Sequence, residues 1–346
     1  MRDTRPATDT LKGLAIAVVM VNHYLMGHVT DTVGGIAYTF LAIFFLASGY
    51  GIRFSLARRE VRSLGGLARF WAQRLLRIVP LHFVAVLLRE ASLGRPLQLL
   101  DALNVYGLRA FWFVPAICNC YLLAPLLFAA LRRWGAARVL ACGVAVVALG
   151  TVAVHAAAPA AVVGAMEGLE LLWKRAFGLH FLLFVLGMAA AGEGGLSRLE
   201  SERQSVGGQE PGQEPGPAVG AVWLGLFAAF PVVYWLSKNV FHGALSLGLQ
   251  LLAVLLAVAL FGYGTFRRVA FRPLAWLGRS SYSLYLLHMT YLNVLGSLGL
   301  LEGSGGALWA LGLSPLLLAG ARLAEGAAGR FARAAGAWLD AGGRAA

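Results

Sequence analysis

Charge, acid and cysteine are all scarce in this chain of 346 residues. Only 13% of its residues are charged, against 59% hydrophobic, and the mean hydropathy is +0.72. A soluble two-domain protein, the prior from length alone, carries roughly 25% charge, so that class is excluded. Acidic residues number 16 against 29 Lys and Arg, a formal net charge of +13. Nucleic acid is not the partner this implies. The basic residues gather between apolar runs, where anionic headgroups and the positive-inside bias account for them. The three cysteines, Cys118, Cys120 and Cys142, all lie inside apolar runs and give neither a disulfide framework nor a metal spacing. No metal and no bound cofactor is expected. The first apolar run is interrupted by Asn22 and His23, and no small-x-small site follows it, so it is expected to stay rather than be cleaved as a leader.

What the chain has in quantity is long apolar runs, several reaching about 20 residues, enough to cross a hydrocarbon core of about 30 Å. The pattern predicts an all-α, polytopic integral membrane helical bundle of about ten transmembrane helices. They fall at 11–28, 35–53, 78–94, 111–131, 139–157, 176–192, 218–236, 243–262, 274–297 and 307–323. With the N-terminus in the cytoplasm, alternate loops place 23 of the 29 Lys and Arg on the cytoplasmic side and 6 outside, which supports cytoplasmic termini and an even number of spans. Residues 193–217 are polar, repeat QEPG twice and hold few apolar residues. They read as a flexible cytoplasmic linker inside a membrane domain of residues 1–325. Residues 326–346 form a short basic cytoplasmic tail, its first part a candidate interfacial helix. No appended soluble catalytic domain is expected.

Within the apolar runs a few polar residues stand at telling places. Lys12 and His23 are eleven apart, about 20° from whole helical turns and roughly 16 Å along the axis, so they share a face. With Lys12 at the membrane surface, His23 lies near mid-depth, where an ionisable group marks a functional site by default. Ser281, Tyr285 and His288 stand at i, i+4 and i+7, again one face, with His288 roughly 13 Å below Arg279. Arg74 and Arg77 are three apart, hence neighbours on a helix, and paired guanidinium groups suit a phosphate-rich ligand. His82, His155, His180 and His242 read as packed or interfacial histidines.

The K-x10-H spacing, followed by Phe44-Phe45-Leu46-Ala47-Ser48-Gly49-Tyr50, resembles the acyltransferase-3 family. These are membrane-bound enzymes that move acyl groups, commonly from acyl-CoA, onto hydroxyls of sugars, lipids, surface glycans or secondary metabolites. The family's RxxR motif falls on Arg74 and Arg77. Its late LGxxSYxxYLxH helix falls on Leu277 to His288, with Ser281, Tyr282 and Tyr285 inside it. Trp112, Tyr121 and Pro125 lie where its W…E…Y…P pattern puts them, but the acidic position is Ile117 here.

The resemblance implies an O-acyltransferase in the bacterial cytoplasmic (inner) membrane. Its partners would be a small-molecule acyl donor, a hydroxyl acceptor and the lipid bilayer. Acyl-CoA would enter from the cytoplasm with its phosphates near Lys12, Arg74 and Arg77. A bend at Ser48, Gly49 and Tyr50 would help hold its pantetheine arm. Trp112, Tyr121, Ser281, Tyr282 and Tyr285 would contact substrate. His23 would be the general base and His288 its catalytic companion. An acyl-enzyme on His23 or Ser48 is the alternative route. A transporter or flippase using the same buried His, Lys and Arg residues is the rival from another class.

Overall fold

The computed structural model describes residues 5–25, 32–59, 63–95, 111–156, 179–192, 222, 225, 243–266, 269–302 and 305–342. Among them there is no strand. The helices are α1 (Arg5–Leu25), α2 (Thr32–Arg59), α3 (Leu64–Ser92), α4 (Phe113–Trp134), α5 (Ala136–Ala156), α6 (Leu179–Ala190), α7 (Gly243–Phe266), α8 (Arg272–Gly278), α9 (Ser281–Ser297), α10 (Gly306–Gly312) and α11 (Ser314–Gly342). A helix lies at nine of the ten stretches expected from hydropathy. Of the stretch 218–236 only residues 222 and 225 are described, and the linker 193–217 lies outside the described residues. Among the described residues two helices are long and apolar enough to cross a bilayer, at Phe40–Ala57 and Phe113–Trp134. A third span results if α10 and α11, bent by 44° at their junction, act as one. Shorter apolar helices lie at Ala136–Gly150, His180–Ala190 and Leu255–Thr265.

The chain divides into two compact units: Met1–Ala47 with Gly192–Arg322, and Ser48–Ala191 with Leu323–Ala346. In the first unit α1 packs most closely on α8 and also meets α7, α9 and α10. Small residues permit that approach, as they do between membrane helices generally. A Cβ on Gly13 would fall on the carbonyl of Leu274, and one on Gly278 on the carbonyl of Asp9. Thr10 fastens the crossing. Its hydroxyl donates to the Pro6 carbonyl at 2.7 Å and accepts the Phe271 N–H at 3.0 Å, so the residue that opens α8 is tied to α1. Arg322 stacks 4.1 Å over the Trp276 ring and donates to the Trp276 carbonyl. Tyr291 and Ser314 both donate to the Ala310 carbonyl, each at 2.7 Å, where α10 meets α11.

In the second unit α3, α5 and α6 pack on α4. Gly49 lies against the Phe184 carbonyl with no room for a side chain. The Ser63 hydroxyl accepts the Gly66 N–H at 3.1 Å and caps α3. Gly135, at φ 80°, ends α4 in a backbone conformation that glycine adopts without strain.

Three local differences from the sequence expectations follow from these contacts. The stretch expected as one span at 274–297 is two helices, because α8 stops at Gly278 on its crossing with α1 and α9 starts after Ser280 (φ −110°, ψ 14°). No bend exists at Ser48, Gly49 and Tyr50: α2 runs through them, and Gly49 serves close packing instead. The helix expected to start at residue 78 starts earlier, since Arg69, Arg74 and Arg77 already belong to α3, which continues past Pro80 to Ser92. Beyond these, α11 continues without a break through the residues expected as a tail, to Gly342.

Candidate active site

In the first unit, α1 and α9 bring together the two histidines that the sequence singled out. The His23 and His288 rings stand 4.9 Å apart between centroids, tilted by 43°. His288 is 2% exposed, whereas His23 is half-buried. His288 Nδ1 lies 2.7 Å from the Tyr285 carbonyl and 3.2 Å from the Leu284 carbonyl. A carbonyl only accepts, so Nδ1 carries the proton and Nε2 of the neutral ring keeps its lone pair. That Nε2 is buried and has no hydrogen-bond partner among the described residues. The pair thus sets a reachable imidazole beside a second one whose tautomer is fixed by its own helix.

Around this pair, Ser281 and Tyr285 are buried on α9 and Tyr282 is half-buried. The Tyr285 ring lies 5.9 Å from that of His288. Lys12, about three helical turns from His23 along α1, is paired with Asp9 at 3.3 Å. An arriving phosphate would therefore share the ammonium with a carboxylate. Asn22 was noted in the sequence only as an interruption of the apolar run. It is 3% exposed, and its Oδ1 has no partner among the described residues. The signal was a polar amide next to His23 in an apolar run, which a packing argument alone does not explain.

The second unit holds the other predicted residues. Arg74 donates to the Ser55 hydroxyl at 2.7 Å and its guanidinium lies 5.7 Å from the Phe70 ring centre. Arg77 instead reaches Glu325 at 3.7 Å. Neighbours on one helix face, the two arginines thus turn to different partners. Tyr121 hydrogen-bonds Ser48, and the charges of Arg74 and Arg77 act on its hydroxyl. The Tyr121 ring also packs 6.1 Å from Phe184, and Tyr50 packs edge-on to Phe54 at 4.9 Å. Sequence reasoning missed Arg53, which is 4% exposed and sits 5.1 Å over the Phe128 ring, with Arg132 at 5.9 Å from the same ring. The Trp112 ring lies 5.0 Å from that of His180, tilted by 59°, and Ile117 is buried. No group of three metal-ligating side chains occurs among the described residues.

A family model described as an acyltransferase domain matches residues 5–324, nearly the whole chain. The chain belongs to the acyltransferase-3 family. No curated protein and no solved structure matches it. Membership makes this acyltransferase a membrane protein whose activity is acyl transfer, and it places α1 to α10, with the first part of α11, inside the family domain.

Proposed function

We propose that the protein is an O-acyltransferase that moves an acyl group from acyl-CoA to a hydroxyl acceptor, with His23 as general base. The observation that carries this is the His23–His288 contact, with His288 Nε2 left as an acceptor beside His23. His23 is the more accessible of the two. It takes the proton of the acceptor hydroxyl as the oxygen attacks the thioester carbonyl. The tetrahedral intermediate then expels the CoA thiolate, which recovers that proton from the imidazolium. An ester and free CoA thiol leave. His288 positions the His23 ring and offers Nε2 to its N–H when the imidazolium forms. A positioned acid–base group of this kind contributes about 10²–10⁴-fold.

The donor's phosphates fall to Arg74 and Arg77, with Lys12 as a further cation, since guanidinium binds phosphate through paired hydrogen bonds. Ser48, Gly49, Tyr50 and Tyr121 serve the arm of the donor, and Trp112, Ser281, Tyr282 and Tyr285 contact substrate. The ten-span topology, with both termini cytoplasmic in a bacterial inner membrane, is part of the same proposal and rests on the 23 cytoplasmic Lys and Arg against 6 outside.

The test is to incubate the purified protein with labelled acyl-CoAs and a panel of hydroxyl acceptors, following both thiol release and label. Ester formation with one thiol per turnover is the expected result. An acceptor that crosses the membrane unmodified, with no thiol released from any donor, would identify a transporter instead.

A further inference from the structure

The corner between α4 and α5, in the second unit, gathers positive charge with no counter-charge among the described residues. Arg132 and Arg133 end α4, Gly135 turns the chain, and Arg138 lies in the first turn of α5. All three arginines are exposed, and none has an ion pair or a hydrogen bond among the described residues. The sequence holds no Asp or Glu between Asp101 and Glu167, so neither helix can supply an acidic partner. The C-terminal dipole of α4 favours Arg132 and Arg133. It does not account for Arg138, which stands at the positive end of α5 and close in sequence to two like charges.

The surroundings of the corner indicate what meets these charges. Arg132 lies 5.9 Å from the Phe128 ring centre, and the buried Arg53 of α2 lies 5.1 Å from the same ring. Two cations therefore share one aromatic ring, and the field of Arg53, held out of water, is little screened. Trp134, between the arginine pair and the turn, is 54% exposed. Beyond the corner the exposed side chains of both helices are apolar. Leu122 and Leu126 stand four apart on α4, and Val146 and Leu149 three apart on α5, so each pair forms a strip on one helix face. Cations, then an amphipathic indole, then apolar strips follow one another in the order of phosphate, ester zone and acyl chain in a phospholipid.

We propose that Arg132, Arg133, Trp134 and Arg138 form a site for the phosphate headgroup of an anionic phospholipid, whose acyl chains lie along the apolar strips of α4 and α5. Guanidinium groups hold phosphate oxygens through paired hydrogen bonds, and the indole of Trp134 sits at headgroup level. Arg53 adds positive potential from behind Phe128 without touching the lipid. A soluble phosphate would meet the same arginines but leave Trp134 and the strips uncovered, which is why a lipid fits the corner better. The site differs from the general pull of basic loops on headgroups in being local: equal charge elsewhere on the surface does not supply it. It is independent of the acyl-transfer proposal above.

Native mass spectrometry of the full chain, released from nanodiscs with equal phosphatidylglycerol and phosphatidylcholine, counts the lipids that stay bound. The wild type should retain phosphatidylglycerol in preference to phosphatidylcholine. The triple variant Arg132→Gln/Arg133→Gln/Arg138→Gln should weaken that retention by about five-fold for each charge removed. Lys at the same three positions, which keeps the charge but not the paired hydrogen bonds, should restore part of it. Arg272→Gln/Arg330→Gln/Arg333→Gln removes equal charge from other exposed positions and should change nothing. A photoactivatable phosphatidylglycerol should cross-link to the peptide that contains Trp134, and excess glycerol phosphate should not displace it. Equal loss in the two Gln variants, or none in the first, overturns the site, as does cross-linking spread evenly over the basic surface. Displacement by glycerol phosphate would make it a site for free phosphate and overturn the lipid assignment.

Discussion

His23 and His288 stand 265 positions apart in the chain and meet ring to ring at 4.9 Å. Because Nδ1 of His288 is committed to the Tyr285 carbonyl, the two rings can act as a single proton-handling unit. His23→Ala should lower turnover by about 10²–10⁴-fold. His288→Ala should fall in the same range, and the double variant should lose little more than the worse single one, as residues that act together do. Single-turnover kinetics on correctly inserted protein checks this. Near wild-type turnover in His23→Ala would sink the assignment.

The glycine crossing makes that contact possible. Replacing Gly278 by Ala sets a methyl group on the Asp9 carbonyl, and Gly13→Ala does the same at Leu274. Each should lower stability by about 1–3 kcal/mol or more and reduce transfer, since α8 leads directly into the helix that carries His288. Gly312→Ala, where no atom lies within contact of an added Cβ, is the control and should leave both unchanged. Thermal unfolding and turnover, measured on the same preparations, provide the comparison.

Arg74 and Arg77 are predicted to differ as donor ligands. Arg77 has a side chain 64% exposed and an acidic neighbour in Glu325, a surface pair worth little by itself. Arg74 is half-buried and bonded to a neutral hydroxyl. Arg74→Gln should therefore weaken acyl-CoA binding more than Arg77→Gln, and added salt should mimic the loss. Titration calorimetry with a non-hydrolysable acyl-CoA reports it. Unchanged affinity in the double variant would place the donor elsewhere.

Asp9 supplies an independent check on Lys12. If Lys12 takes a donor phosphate, Asp9 competes for it at 3.3 Å. Asp9→Asn should tighten acyl-CoA binding and Lys12→Gln should weaken it, by a few-fold each. Equal effects of the same sign in both variants would assign the pair to structure alone.

Periodicity made part of this site legible. Lys12 and His23 on one face of α1, and Ser281, Tyr285 and His288 on one face of α9, follow from helical spacing. The break at Arg279 and Ser280 did not, because it depends on Gly278 meeting a helix more than 260 residues earlier. Spacing placed Arg74 and Arg77 side by side, but their partners are chosen by what α2 and α11 present. The Asp9–Lys12 pair follows the i, i+3 rule. Nothing local distinguishes His82 from any histidine in an apolar run. Its edge-on contact with Phe111 depends on a residue 29 positions away.

The hydrogen bond from the Phe271 N–H to the Thr10 hydroxyl joins residues 261 positions apart. During synthesis α1 leaves the ribosome about 260 residues ahead of its partner α8. At about 5–20 residues per second the interval is on the order of tens of seconds. For that time the face of α1 that bears His23 has no α8 or α9 to cover it. Biogenesis of this protein therefore depends on temporary shelter for α1 at the site of insertion. Chains truncated before residue 269 should be cleared by membrane proteolysis faster than full-length ones.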